Sequence, residues 1–108
     1  MLQSPPRFIG AGVSAFVIAN VTIEDPVRYE DYKRMVPATL VPFGGRFVAR
    51  GGQVEVLEGD WRPNRLVILE FPSVERARAW WNSAEYAEAR ALRQATSRGT
   101  LLILEGIG

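Results

Sequence analysis

Tyrosines, tryptophans, arginines and carboxylates are the residues best suited to chemistry in this 108-residue chain, because it contains neither histidine nor cysteine. Their absence excludes zinc sites built from those ligands, His-ligated haem, iron–sulfur clusters, Ser-His-Asp triads and thiol nucleophiles. It also excludes disulfide bonds, so the fold depends on its core alone. Since glycine-rich phosphate loops, nucleophile elbows and HExxH sequences are also missing, the sequence predicts no cofactor and no metal.

An aromatic and basic cluster is predicted toward the carboxyl end. Trp80 and Trp81 precede Tyr86, Arg90 and Arg93, and helical spacing places the last three on adjoining faces. An aromatic wall beside a guanidinium group suits a small acidic or phenolic ligand, which makes Trp80 and Arg93 candidate ligand-binding residues. The alternative is a structural cluster, with one tryptophan in the core and solvated arginines paired with nearby glutamates.

A second group joins Tyr29, Tyr32 and Met35 of a predicted helix with Glu70 of a predicted central strand. Burial is expected to raise the pKa of Glu70 unless an arginine pairs with it. A buried glutamate near a tyrosine can act as an acid or a base, so Tyr32 and Glu70 are candidate site residues. The alternative is a structural ion pair between Glu70 and an arginine.

Two further candidates are single residues. Asn20 is a polar residue on an apolar strand face, and a buried amide needs hydrogen-bond partners. It is expected to bind a ligand, or else to bond to nearby backbone or to Thr22. Trp61 lies in a predicted hairpin connection beside Arg62, where it is expected to line a pocket mouth or to pack against a partner subunit.

Strands and helices must position these side chains. Segments rich in β-branched and aromatic residues predict strands at residues 15–23, 46–50, 53–59, 65–71 and 100–105. Helices are predicted to follow the capping residues Asp25, Ser73 and Ser83, and the last of them covers residues 84–97. Pro26 suits the first position of the first helix, whereas Pro37 is expected to kink that helix or to end its first segment.

This order of elements reduces to the β-α-β-β-α-β pattern of ferredoxin-like α+β folds if residues 46–50 and 53–59 form one bent strand. Two helices then cover one face of an antiparallel sheet. The other face is also apolar, and a second copy of the same sheet is its economical cover, so the sequence predicts a homodimer. Residues 14–108 are expected to form the single domain, and residues 1–13 a flexible N-terminal extension.

Charge and hydropathy restrict the partners of the protein. The 13 Lys and Arg residues nearly balance the 12 Asp and Glu residues, whereas nucleic-acid binding requires a basic face. No apolar run approaches the roughly 20 residues of a membrane span. The apolar stretch around Ala15 faintly resembles a secretory signal but is interpreted as the first strand, and the protein is expected in the cytoplasm.

Several motifs follow one another between residues 14 and 108. They are Asp25-Pro26 with Tyr29 and Tyr32, Gly44-Gly45, VEVLEGDW at 54–61, LEFPS at 69–73 and WWNSAEY at 80–86. Together they resemble the bacterial domain-of-unknown-function family DUF1330, which has no established activity. The resemblance implies a dimeric α/β barrel, in a superfamily that also contains antibiotic-biosynthesis monooxygenases. Asn20 is similar in type and position to an asparagine that some of those monooxygenases use to hold a substrate oxygen.

Three functions are consistent with the sequence. The first is a homodimer that binds a small organic ligand in a pocket between helices and sheet. Its candidate ligand-binding residues are Asn20, Tyr32, Trp61, Glu70, Trp80 and Arg93. The second, implied by the resemblance, is a cofactor-independent oxygenase acting on a phenolic or quinol substrate. The third is a structural or regulatory dimer without a ligand.

Overall fold

The β-branched segments form a sheet and the capped segments form helices in the computed structural model, which describes residues 13–107. In chain order, the elements of these residues are β1 (Ala15–Ile23), α1 (Pro26–Leu40), a 3-10 turn (Val41–Phe43), β2 (Arg46–Arg50), β3 (Arg65–Phe71), α2 (Val74–Trp81), α3 (Ala84–Thr96) and β4 (Ser97–Glu105). The extension expected at residues 1–13 lies outside the described residues, apart from Val13.

The strands pair as one antiparallel sheet in the order β2-β3-β1-β4. On the central strand β1, Ile18 lies between Ile68 of β3 and Leu102 of β4. This strand order, with helices in both crossover connections, is the ferredoxin-like α+β fold that the sequence predicts. Within residues 13–107 no helix is long and apolar enough to cross a membrane.

Side-chain caps fix where the three α-helices begin, as predicted. Asp25, Ser73 and Ser83 each accept a hydrogen bond from the backbone N–H three residues later, at 3.1–3.2 Å. Pro26 occupies the first turn of α1, where its missing N–H has no helical partner to lose. Because each cap satisfies an otherwise free donor, each helix start is well specified by local sequence.

Pro37 does not end α1, which continues to Leu40. A proline inside a helix cannot donate to the carbonyl four residues earlier, which here belongs to Lys33. Arg50 of β2 supplies the missing donor, because its Nη2 lies 2.6 Å from the Lys33 carbonyl oxygen. The helix therefore passes through Pro37 while a side chain from the sheet satisfies the exposed acceptor.

The strand expected at residues 53–59 is wrong, because the chain leaves the sheet at Gly51 and returns only at Arg65. Gly51 has a φ of +71°, and its N–H donates to the Leu66 carbonyl at 2.8 Å as the last link to β3. Val54 and Val56 alternate as in a strand, yet Val54 and Leu57 are exposed and no residue of this segment pairs with a strand of the described chain. Apolar alternation without a partner does not form a strand.

The last strand begins three residues earlier than predicted, at Ser97. Ser97 pairs with Ile23, and Gly99 pairs with Val21, so β4 extends along the full length of β1. Gly99 makes this pairing possible, because a Cβ atom there would lie 2.0 Å from the backbone oxygen of Asn20. The close approach of two backbones overrides the weak strand propensity of this segment.

Alternation along β1 assigns the two faces of the sheet. Ala15, Val17, Ala19 and Val21 are buried against the helices. Val17 belongs to a core that also contains Val36, Leu40, Leu69, Phe71, Ala77, Trp80, Tyr86 and Ala89. All three helices therefore pack on this one face of the sheet.

The opposite face, here called the open sheet face, is largely apolar, and no helix within residues 13–107 covers it. It carries Phe16, Ile18, Leu66, Ile68, Leu102 and Leu104 in register across three strands. Leu102 and Leu104 keep about half of their surface exposed, 48% and 53%. An exposed apolar patch of this kind is typical of an interaction surface.

Candidate functional site

A narrow pocket lies between the helices and the covered face of the sheet. Its apolar wall comes from the three strands β1, β3 and β4 and from α1, with Val17, Ala19, Val21, Val36, Val67, Leu69 and Leu101. The cavity has a volume of about 30 Å³, which is room for about two water molecules. A larger ligand must therefore extend beyond this cavity, toward the long side chains at its mouth.

Tyr32 of α1 brings a hydroxyl group to this pocket. Its oxygen lies 3.0 Å from the Tyr86 hydroxyl oxygen of α3. Burial, and then the neighbouring Tyr86, raise the pKa of Tyr32 well above its usual value. At neutral pH the Tyr32 hydroxyl is therefore protonated, and it serves as a hydrogen-bond donor or acceptor rather than as a base.

Trp80 of α2 forms the aromatic wall of the pocket. It is fully buried, with its ring centroid 3.9 Å from that of Tyr86. Its Nε1 donates to Thr39 Oγ1 at 3.0 Å, which satisfies the only polar atom of the indole. The ring is thus fixed in place and presents an apolar surface to the pocket.

Arg93 of α3 lines the same pocket and is only 5% exposed. Within residues 13–107 its Nε has no hydrogen-bond partner, and no carboxylate lies within ion-pairing distance of its guanidinium group. Its guanidinium carbon lies 6.0 Å from the ring centroid of Trp81. Within residues 13–107 the positive charge of this buried arginine therefore has no acidic partner.

Three more cations, Lys33, Arg50 and Arg65, line the pocket and continue into a polar groove outside it. Lys33 Nζ donates to Glu30 in this groove at 2.9 Å, and that bond chiefly lowers the pKa of Glu30. Arg65 stacks over the Tyr29 ring at 5.8 Å, and its buried Nε has no partner in the described part of the chain. With Arg93, the part of the pocket lining that comes from residues 13–107 includes four basic residues and no acidic one.

Asn20 lies outside this pocket, on the other face of the sheet. Its Oδ1 accepts a hydrogen bond from the backbone N–H of Asn64 at 3.3 Å, and the Asn64 amide donates to Thr22 at 2.6 Å. Strand alternation is the reason, since Ala19 and Val21 on either side of Asn20 face the helices. The contacts match the alternative in which Asn20 bonds to nearby backbone.

Glu70 also lies on the face away from the helices, opposite Phe16 in the register. It is fully buried, and its Oε1 accepts from Arg46 Nη2 at 2.7 Å. This matches the alternative of an ion pair with an arginine. The expectation that Glu70 lies near Tyr32 is therefore wrong. Leu69 faces the helices, and adjacent strand residues face opposite sides of a sheet.

Trp61 is 62% exposed, in the loop between β2 and β3, and does not line the pocket. Of the six sequence-predicted site residues, the structure brings together Tyr32, Trp80 and Arg93. It separates Asn20, Trp61 and Glu70 from them. A ligand-binding role for those three stays a prediction that their positions do not support.

Sequence reasoning missed Lys33, Arg50 and Arg65. A signal existed for Arg65, because it alternates with Val67 and Leu69 on the covered face of β3. Lys33 follows Tyr29 at helical spacing, which also favours a shared face. No signal existed for Arg50, whose position depends on a bulge between Phe47 and Ala49.

The fold and the pocket define a ferredoxin-like α+β domain with a cationic, aromatic interior site. Residues 14–107 match the domain of unknown function DUF1330, and the chain belongs to this family. Comparison with curated proteins gives no match.

Solved structures share the fold. A protein of unknown function from Rhodopseudomonas palustris is similar with a TM-score of 0.72 and 22% identity, over 89% of this chain and 84% of that one. SnoaB, a cofactor-independent oxygenase from Streptomyces nogalater, is similar with a TM-score of 0.61 and 11% identity, over 90% and 96%. At such identities the similarity extends to the fold alone.

Proposed function

We propose that the protein binds a small organic ligand in the pocket between the helices and the sheet. The observation that carries this proposal is Arg93, a buried arginine without a counter-ion among residues 13–107 beside the Tyr32 hydroxyl and the Trp80 ring. Burial of an unpaired charge is strongly unfavourable. A fold tolerates such a charge at a binding site, where a ligand supplies the missing partner.

The three side chains have complementary tasks in this proposal. Arg93 provides charge and several N–H donors, Tyr32 provides one hydroxyl group, and Trp80 provides a flat apolar surface. The apolar strand residues around them exclude water, which strengthens each polar contact to a ligand. A few placed polar groups in an apolar pocket are typical of small-molecule sites.

Native mass spectrometry of freshly purified protein, combined with fragment binding, tests this proposal. Phenol, benzoate and benzamide are suitable fragments, with binding followed by the chemical shifts of pocket residues. Ala19→Leu fills the pocket and is expected to abolish binding, whereas Ala91→Leu on the exposed side of α3 is the matched control. If no fragment binds and no retained molecule is found, the ligand-free structural dimer is favoured instead.

We also propose that two copies associate through the open sheet face. Support comes from its apolar residues in three adjacent strands, which leave Leu102 and Leu104 half exposed in the single chain. Pairing of two such faces removes apolar surface from water, at about 25 cal/mol per Å². Two copies related by a two-fold axis would present the same surface to each other.

A second candidate function is a cofactor-independent oxygenase for a phenol or quinol. The structural neighbour SnoaB is a cofactor-independent oxygenase. The favouring observation is the position of Arg93 in an apolar pocket, since its charge would stabilise a phenolate. Oxygen uptake with a quinol panel and no added cofactor tests this candidate. The oxygenase candidate is rejected if uptake is absent, or if the rate is the same in Arg93→Met as in the unmodified protein.

A further inference from the structure

The basic side chains of the pocket divide into an interior position and a mouth position. Arg93 lines only the pocket, whereas Arg50 and Arg65 line both the pocket and the groove outside it. Two other groove cations have acidic partners, since Lys33 pairs with Glu30 and Arg34 pairs with Asp31. The guanidinium groups of Arg93, Arg50 and Arg65 therefore have no carboxylate partner within the described chain. The first lies inside the pocket, and the other two lie where the pocket meets the groove.

At the mouth position, neighbouring residues hold the Arg65 guanidinium group in place. Arg65 lies between the Tyr29 ring and Gly51, where a Cβ atom would be 2.1 Å from Arg65 Nη1. A side chain at position 51 would push the guanidinium group out of this place. The Arg65 Nε is buried and has no partner within residues 13–107, as is also true of Arg93 Nε in the interior.

Arg50 is held beside it by the backbone of α1. Its Nη2 donates to the Lys33 carbonyl that Pro37 leaves free, and its guanidinium carbon lies 4.2 Å from the Phe47 ring centroid. These contacts use one N–H group and one face of the guanidinium plane, so other donors stay available. Paired arginines at fixed positions are suited to carboxylate and phosphate groups.

We propose that the ligand is an organic dianion, with one carboxylate bound by Arg93 in the interior and a second acidic group bound by Arg65 and Arg50 at the mouth. The inference rests on the proposed function, because it names the ligand class of the same pocket. The apolar strand residues between the two positions would contact the body of the ligand. A dianion matches the two charged positions, whereas a neutral ligand would leave both unpaired.

Calorimetric titration with terephthalate, benzoate and benzamide tests the inference, because these probes share a ring and differ in charge. Charge-assisted hydrogen bonds predict that terephthalate binds about tenfold or more tighter than benzoate, and benzoate about tenfold tighter than benzamide. Arg65→Met is expected to reduce terephthalate affinity to that of benzoate while benzoate affinity stays within about twofold. Arg93→Met is expected to weaken both.

Arg34→Met is the matched control, because it removes the same charge beside the groove from a residue already paired with Asp31. It is expected to leave all three affinities within about twofold, since exposed pairs contribute little. Circular dichroism checks folding, and Arg93→Lys provides a charged replacement if Arg93→Met does not fold. Arg93→Lys is expected to retain the preference for benzoate over benzamide.

Three results would overturn the inference, and they are distinguishable. If benzamide binds as tightly as terephthalate, the ligand class is wrong and the proposed function stands. If none of the three probes binds and native mass spectrometry shows no retained molecule, the proposed function fails and the inference fails with it. Equal losses in Arg34→Met and Arg65→Met would also reject the mouth position.

Discussion

The hydroxyl oxygens of Tyr32 and Tyr86 lie 3.0 Å apart and join helix α1 to helix α3 across 54 residues of sequence. Tyr86 is fully buried, and Trp80 packs against its ring. A hydrogen bond between two phenols in such surroundings fixes both rings at the pocket. This single contact therefore connects the stability of the helical layer with the shape of the candidate site.

Removal of either hydroxyl group is expected to destabilise the protein. Tyr32→Phe and Tyr86→Phe each leave one buried hydroxyl without its partner, which costs about 1–3 kcal/mol in the free energy of unfolding. The double variant is expected to lose little more than the worse single variant, because the remaining penalty disappears with the second hydroxyl. Urea unfolding of the four proteins measures this coupling, and strict additivity would show that the bond contributes nothing.

Alkaline pH is expected to destabilise the protein through Tyr32. Burial raises the pKa of Tyr32 in the folded state above its ordinary value of 10.0. Below pH 10 the phenol is neutral in both states, and above pH 10 only the unfolded state ionises, so stability falls as pH rises. The slope from this group is about 1.4 kcal/mol per pH unit at 25 °C.

Unfolding of the unmodified protein and of Tyr32→Phe between pH 8 and pH 11 measures this effect. The variant lacks the ionisable hydroxyl, so its stability is expected to decline less steeply above pH 10. Parallel curves for the two proteins would contradict the assignment to Tyr32.

Gly99→Ala is expected to weaken the pairing of β1 with β4. The added Cβ atom would lie 2.0 Å from the Asn20 backbone oxygen, which cannot move without separation of the strands. We expect the free energy of unfolding, measured by thermal denaturation, to fall by about 2 kcal/mol or more. Gly52→Ala is the control, because its Cβ would meet nothing within 4 Å, and a change within about 0.5 kcal/mol is expected. A similar loss at both positions would contradict the close approach of the two strands.

A charge on the open sheet face is expected to prevent association of two copies. Leu102→Glu introduces a carboxylate beside Ile18, and burial of that carboxylate in a dimer is unfavourable. Light scattering is expected to give twice the chain mass of 12.0 kDa for the unmodified protein and the single-chain mass for the variant. Val27→Glu is the control, because the Val27 side chain is exposed on α1, and this variant should remain dimeric. A single-chain mass for the unmodified protein would reject the dimer.

The fold was predictable because its determinants are local. Asp25, Ser73 and Ser83 are recognisable caps, and the paired strands have continuous apolar runs. The error at residues 53–59 has a physical cause, since a strand needs a partner and no pattern within Val54–Leu57 reports whether one is present. Whether a segment forms a strand depends on an adjacent strand to pair with as much as on its own sequence.

The site was less predictable because both faces of the sheet are apolar. Alternation correctly groups Asn20 with Ile18 and Glu70 with Ile68, but it does not state which face the helices cover. Tyr32 and Arg93 belong to helices, whose buried faces must meet the sheet, so their convergence followed from helical spacing. The mouth cations depend on a bulge and on contacts between distant segments.

Pro37 interrupts the hydrogen bonds of one helix and thereby determines where a side chain from another part of the chain binds. The carbonyl it leaves free is the anchor for Arg50. Alanine at position 37 would restore the missing helical hydrogen bond and stabilise α1 in isolation. It would also occupy the Lys33 carbonyl that holds Arg50 at the mouth of the pocket. Selection for thermal stability and selection for recognition would therefore act in opposite directions on this one residue.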